Sequence, residues 1–242
     1  MLTKLLPSDV ATAESTADPE EVFLFPEEEY LIRNAVPKRR QEFGTVRWCA
    51  RRAMGALGVP PAPVVPGRRG VPQWGPSVVG SMTHCASYRG VALARSSQFA
   101  ALGIDAEPNT PLPEGVLESI ALPQELRRTR ELARAVPEIA WDRLLFSMKE
   151  AVYKTWFPLT GQELEFTDAL VTVDAEQETF RARLLPEPAR LSPAGPTTFS
   201  GRWSAGDGVL LSAIAVPAAR PAPPGARTAR SAPPLCRAGS AC

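Results

Sequence analysis

The sequence predicts an α+β fold made of two similar halves. Two observations carry this. Helical periodicity over 26–35 and 37–58 is followed by three strand-like runs, "SVVGSMTHC", "GVALARS" and "AALGIDAE". After a Pro-rich stretch, "PNTPLPEGV" (108–116), the order repeats, with helices over about 114–134 and 138–157 and then "ALVTVD", "TFRARLL" and "GVLLSAIAV". The expected division is therefore 1–108, 109–216 and a Pro/Ala/Arg tail at 217–242. No residue-level repeat accompanies it, so the duplication is one of elements only. At 44% hydrophobic residues in a 242-residue chain, a substantial core is expected.

The first helix, "PEEEYLIRNA", opens with proline and three acids, which suit a helix N-terminus. In the second, "PKRRQEFGTVRWCARRAMGALG", Phe43, Val46, Ala50, Ala53, Met54 and Leu57 form an apolar stripe between Pro37 and Gly58. Arg40, Arg51 and Arg52 read as its solvated face. Arg39 lies in line with the stripe and Arg47 at its edge, where a charge is costly unless paired. Arg39 also sits in the first turn, against the helix dipole. Either an anion binds beside these arginines or their side chains snorkel to water.

A Pro-rich connector follows, with Arg68 and Arg69 in "GRRGVP"; it carries no nucleotide-binding glycine fingerprint. "SMTHC" puts His84 at a strand end, where a lone histidine reads as structural, and Ser81 lacks the G-x-S-x-G context of a hydrolase nucleophile. In "LGIDAEPN", Leu102, Ile104 and Ala106 share one face of a strand, so Asp105 and Glu107 share the other, ~7 Å apart. Two anions that close repel unless water, a base or a metal ion intervenes.

In "EIAWDRLLFSMKEAVYKTWFPLTG" (138–161), Trp141, Leu144, Leu145, Met148, Val152, Thr155 and Trp156 make one apolar face, with Pro158 and Gly161 as the expected end. Glu150 lies opposite, flanked by Phe146 and Tyr153, with Lys154 one turn on. Alone, Glu150 and Lys154 are an ordinary i,i+4 surface pair worth ~0.2–0.5 kcal/mol. Two aromatics on that face point instead to a second packed interface. Three carboxylates meeting there would suit Mg²⁺, a hard cation that takes oxygen ligands and substrate phosphates.

Composition removes several classes. The formal charge is +1, and residues 217–242 hold four arginines and no acid, which leaves the other 216 residues with 23 basic and 26 acidic side chains. A body so balanced does not bind nucleic acid by bulk charge. The tail reads as disordered. Four cysteines without C-x-x-C and a single histidine nearly exclude a structural zinc site. No apolar run of ~18 residues and no signal-peptide pattern occur, so a soluble cytoplasmic protein with reduced thiols and no membrane association is expected.

Together, "GSMTHC", "LGIDAEPN" and "WDRLLFSMKEAVYKTWFPLT" resemble the 4′-phosphopantetheinyl transferases of the surfactin/enterobactin (Sfp) type, in particular the actinobacterial members that serve antibiotic and other secondary metabolism. The family pattern is a G-[IV]-D-x-E strand followed some forty residues later by W/F-x-x-K-E-[SA]-x-x-K on a helix. The resemblance spans about residues 26–216. It implies two pseudo-twofold-related α+β subdomains in one monomer, with coenzyme A between them. The implied activity transfers phosphopantetheine from coenzyme A to a serine of acyl or peptidyl carrier proteins, releasing adenosine 3′,5′-bisphosphate.

By motif position the resemblance assigns Asp105, Glu107 and Glu150 as ligands of Mg²⁺, or of Mn²⁺ in its place. It makes Glu150 the general base, directly or through water, and puts Lys154 at the pyrophosphate with Lys149 as its neighbour. His84, Arg39 and Arg47 fall around the 3′-phosphate, and Arg69 and Thr83 in the coenzyme-binding turns. "GQELEF" lacks a tryptophan that some relatives have there. The rival enzymatic reading is a magnesium-dependent nucleotide or coenzyme A pyrophosphatase using the same carboxylates.

Overall fold

The computed structural model describes residues 1–185 and 196–219. Most of the tail read as disordered lies outside the described residues. Helices α1 (Pro26–Ile32) and α2 (Pro37–Ala56) precede strands β2 (Val78–Cys85) and β3 (Tyr88–Arg95), while β1 (Ala11–Ser15) lies before both helices. These strands form an antiparallel sheet of order β1-β3-β2. Strand β4 (Phe99–Pro108) leads into α3 (Val116–Ile120), α4 (Pro123–Ala135) and α5 (Trp141–Thr160). Strands β5 (Ala169–Asp174), β6 (Thr179–Leu184), β7 (Thr198–Gly206) and β8 (Val209–Pro217) follow. With β4 they form a five-stranded antiparallel sheet of order β4-β8-β7-β6-β5.

Several elements differ from expectation. The helix expected over 114–134 is broken at Ala121–Leu122, because the residue before Pro123 is pushed out of the helical region. Glu125 then caps the new helix, accepting from Leu122 N at 2.7 Å. Pro158 does not end α5, which runs to Thr160 and stops at Gly161 with φ 67°. The proline ring sits in the last turn, where the helix forfeits only the bond to the Lys154 carbonyl. Strands β1 and β7 were not foreseen.

Strand β4 belongs by hydrogen bonding to the second sheet, from Phe99↔Pro217 to Pro108↔Val209. Its other edge faces β2, where Ser81 Oγ accepts from Ile104 N at 3.1 Å and Thr83 Oγ1 from Ala106 N at 2.9 Å. Two hydroxyls thus satisfy buried backbone donors that an edge strand leaves open.

Helix α5 covers the inner face of this sheet, with Trp141, Leu144, Met148, Val152 and Trp156 against Phe180, Phe199, Trp203, Leu210 and Ile214. On the opposite face of β4, Leu102, Ile104 and Ala106 join Leu2, Tyr88, Leu211 and Ala213 in a second core. A third packs Val46, Ala50 and Met54 of α2 on Val91 and Leu93 of β3. Among the described residues no helix is long and apolar enough to cross a membrane.

One glycine sets how closely α5 approaches β4. A Cβ at Gly103 would fall 2.0 Å from Thr155 Oγ1 and 2.2 Å from the Ala151 carbonyl. Only a bare backbone lets the helix lie on the strand at that point. The same approach brings Lys154 within reach of Asp105.

Candidate active site

Asp105 and Glu107 leave β4 toward α5, and each has its own cation. Lys154 Nζ donates to Asp105 Oδ1 at 2.7 Å. Arg143, in the first turn of α5, donates from Nη1 to Glu107 Oε2 at 3.0 Å, and its Nε and Nη2 bond the carbonyls of Thr110 and Pro111. The buried Thr83 hydroxyl, having accepted from Ala106, donates to Asp105 Oδ1 at 3.3 Å. Asp105 is 4% exposed, and its second oxygen, Oδ2, is buried with no partner.

Glu150 lies one turn before Lys154 on the same helix and has no hydrogen-bond or ion-pair partner among the described residues. Burial pushes its carboxyl above the ordinary range; Lys154 opposes this, and the charges of Asp105 and Glu107 add to it. Glu107 is likewise raised, by burial and then by Asp105, despite Arg143. The three acids therefore sense one another. They do not yet converge: among the described residues no three acidic, histidine or cysteine side chains stand close enough to ligate one ion.

The chemistry of the donors still fits Mg²⁺. They are hard carboxylate oxygens, in excess of the charge that neutralises them, and one of them is orphaned and buried.

Two clefts open beside Glu150. One, of about 240 Å³, lies between β2, the turn Arg68–Gly70 and α5, and is lined by Lys154, Tyr153 and Arg69. The other, of about 390 Å³, shares Arg69, Glu150 and Tyr153 and continues to Leu164 and Phe166. A larger groove, about 910 Å³ around Thr172, Arg181, Ser200 and Arg202, contains none of these residues.

The basic residues singled out in the sequence divide. Arg39 Nη1 donates to His84 Nε2 at 2.9 Å, so the imidazole is neutral there with its proton on Nδ1. Burial first, and then the Arg39 charge, hold His84 below the usual histidine value. Arg69 is exposed and donates from Nε to Glu163 Oε1 at 2.6 Å.

Arg47 is instead packed inside the first half, 7% exposed. Its guanidinium lies 3.6 Å over the Phe43 ring, and Nη2 bonds the Val64 carbonyl at 3.1 Å. Burial lowers its pKa to about 10. Lys149 is interior too. Its ammonium meets the carbonyls of Phe166 and Ala169 at 2.7 Å each and Glu125 Oε2 at 3.0 Å, which fills its three donors. It ties α5 to α4 and β5 and presents no free proton to a ligand. Arg51, expected on a solvated face, pairs with the fully buried Glu28.

Arg143, Glu163 and the Tyr153 phenol escaped sequence reasoning. A usable signal existed for Arg143, which sits in a helical first turn, the same unfavourable place that drew attention to Arg39. Nothing in the local pattern distinguished Glu163 from any loop acid.

Comparison with known proteins yields two family models. The N-terminal domain of 4′-phosphopantetheinyl transferases matches residues 27–94, and the 4′-phosphopantetheinyl transferase superfamily matches 101–205. The chain is 52% identical to the 4′-phosphopantetheinyl transferase Svp of Streptomyces mobaraensis, over 90% of each protein. It is 46% identical to PptT of Mycobacterium tuberculosis, over 85% of this chain and 92% of that protein. It is 43% identical to Npt of Nocardia iowensis, over 89% and 99% respectively.

Proposed function

The chain belongs to the 4′-phosphopantetheinyl transferase superfamily, and from that premise we propose how its residues divide the work. The protein is a transferase that moves the 4′-phosphopantetheine group of coenzyme A to carrier proteins. Family membership favours transfer over the pyrophosphatase alternative. We read its carriers as the acyl and peptidyl carrier domains of polyketide, nonribosomal peptide and fatty acid synthases, and the enzyme as a cytoplasmic monomer.

In the reaction the carrier serine oxygen attacks the phosphorus that bears the pantetheine arm. The bond from that phosphorus to the bridging oxygen breaks, and adenosine 3′,5′-bisphosphate leaves. Glu150 takes the serine proton, directly or through water. Glu150 lines both clefts and has no hydrogen-bond partner among the described residues, so a carboxylate oxygen is open to accept that proton. Lys154 neutralises the oxygens of the pyrophosphate. Arg39 and His84 hold the 3′-phosphate.

Asp105, Glu107 and Glu150 would hold Mg²⁺, which supplies charge neutralisation at the phosphates when bound. Thr83 and Arg143 hold Asp105 and Glu107 in place. The observation that carries this reading is the juxtaposition of Lys154 with Asp105, a contact between the two motif halves.

The direct test incubates an apo carrier protein with the enzyme, coenzyme A and Mg²⁺ and follows the carrier by mass spectrometry. The expected product is the carrier heavier by one phosphopantetheine group. Consumption of coenzyme A without carrier would mean hydrolysis and would overturn the assignment of transfer.

A further inference from the structure

Arg69 stands on the turn Arg68–Gly70 with φ 56°, a left-handed backbone that a non-glycine residue does not adopt without support. Backbone bonds from Gly67 N to Val71 O at 2.7 Å and from Val71 N to Arg68 O at 3.2 Å close the turn, and side chains brace it from across the molecule. Arg68 Nη1 bonds the Gly161 carbonyl at 3.2 Å, and its guanidinium lies 5.5 Å from the Phe157 ring centre. Glu163, just past the end of α5, accepts from Arg69 Nε at 2.6 Å through one oxygen and from the Tyr153 hydroxyl at 3.0 Å through the other.

A guanidinium carries five N–H donors, and Glu163 engages only the one on Nε. Among the described residues the two Nη groups of Arg69 meet no acceptor. They form the planar fork that grips phosphate oxygens in pairs. Arg69 lines both clefts, and in the smaller it faces the same space as Lys154.

We infer that Glu163 is a positioning residue: by taking Arg69 through Nε it aligns the Nη groups for the pyrophosphate of coenzyme A. This rests on the reading of the clefts as the coenzyme site. Hydrogen bonds from Arg69 and then Tyr153 keep the Glu163 carboxyl below its usual range. A carboxylate placed on the Nη edge would compete with the substrate; one on Nε leaves that edge open.

Calorimetric titration of coenzyme A with Mg²⁺ into the full chain tests this. Glu163→Ala should weaken binding about fivefold or more, and Arg69→Ala at least as much. The double variant should be no worse than Arg69→Ala alone, because Glu163 acts through the arginine. Glu163→Gln keeps an acceptor oxygen and should fall between wild type and Glu163→Ala. The same penalties should appear with 3′-dephospho-coenzyme A. In carrier assays Glu163→Ala should raise KM for coenzyme A while kcat stays within about twofold.

Unchanged or tighter binding by Glu163→Ala, additive losses in the double variant, or a penalty confined to the 3′-phosphorylated ligand would overturn the assignment. Binding is read without a carrier, so the two readings fail separately. Wild type that binds coenzyme A yet modifies no carrier sinks the transferase reading. Wild type that modifies carrier while Glu163→Ala binds normally sinks only this one.

Discussion

Asp105 and Glu107 are tolerated two positions apart because Lys154 and Arg143 each take one of them. Glu150 has no such partner among the described residues; burial raises its pKa against the pull of Lys154, and the charges of Asp105 and Glu107 add to the rise. Glu150→Gln should lower turnover by at least ~10²-fold in carrier-modification assays. Near-normal turnover would remove it from proton transfer.

His84 gives a second prediction at this scale. In the free protein its Nε2 accepts from Arg39, and burial and that charge hold its pKa below the ordinary histidine value. A phosphate dianion arriving beside it favours the imidazolium, so binding takes up a proton. By linkage, affinity for coenzyme A should rise as the pH falls from about 8 to about 6.5. Calorimetry near pH 7 in buffers of different ionisation enthalpy should show the uptake, and His84→Ala should abolish it. A binding heat independent of buffer would contradict the assignment.

At the scale of elements, Gly103 and Lys149 make opposite claims. Gly103→Ala forces α5 away from β4, so it should cost about 1–3 kcal/mol and also reduce turnover in the folded fraction, by parting Lys154 from Asp105. Wild-type denaturant stability and rate would refute the close-approach argument. Lys149→Met leaves buried Glu125 without its cation, and breaking such a pair costs about 3–5 kcal/mol. Affinity of the folded variant for coenzyme A should nevertheless be unchanged. A selective loss of affinity at unaltered stability would restore Lys149 to the coenzyme site.

Elements were readable where one physical signal dominated. The stripes of α2 and α5 and the apolar runs of β3 and β8 lie where periodicity put them, within one to three residues at most ends. Strand β7 was hidden by Gly201 and Gly206, which look like turns. Gly201 is there because a Cβ would strike the Phe180 ring at 2.4 Å. Strand β1, "ATAES", has no large apolar or aromatic residue to announce it. The acids and Lys154 were legible because a strand and a helix each present them at a fixed period. The burial of Arg47, Arg51 and Lys149 was not, because their partners Val64, Glu28 and Glu125 come from other elements.

For the whole molecule, β4 is the shared member. Its backbone belongs to the five-stranded sheet, its free edge is capped by hydroxyls of β2, and its acids face α5. The turn carrying Arg68 and Arg69 reaches from the connector to the end of α5. The candidate site is thus assembled from β4, α5 and the Arg68–Gly70 turn.

The central claim is that Asp105 and Glu107 from the strand and Glu150 from the helix hold one divalent ion. Electron paramagnetic resonance of Mn²⁺ titrated into the protein with coenzyme A measures it most directly. The account predicts one bound ion per chain in the wild type and a large loss of affinity in each of Asp105→Ala, Glu107→Ala and Glu150→Gln. Manganese binding indifferent to any one of these three changes would contradict it.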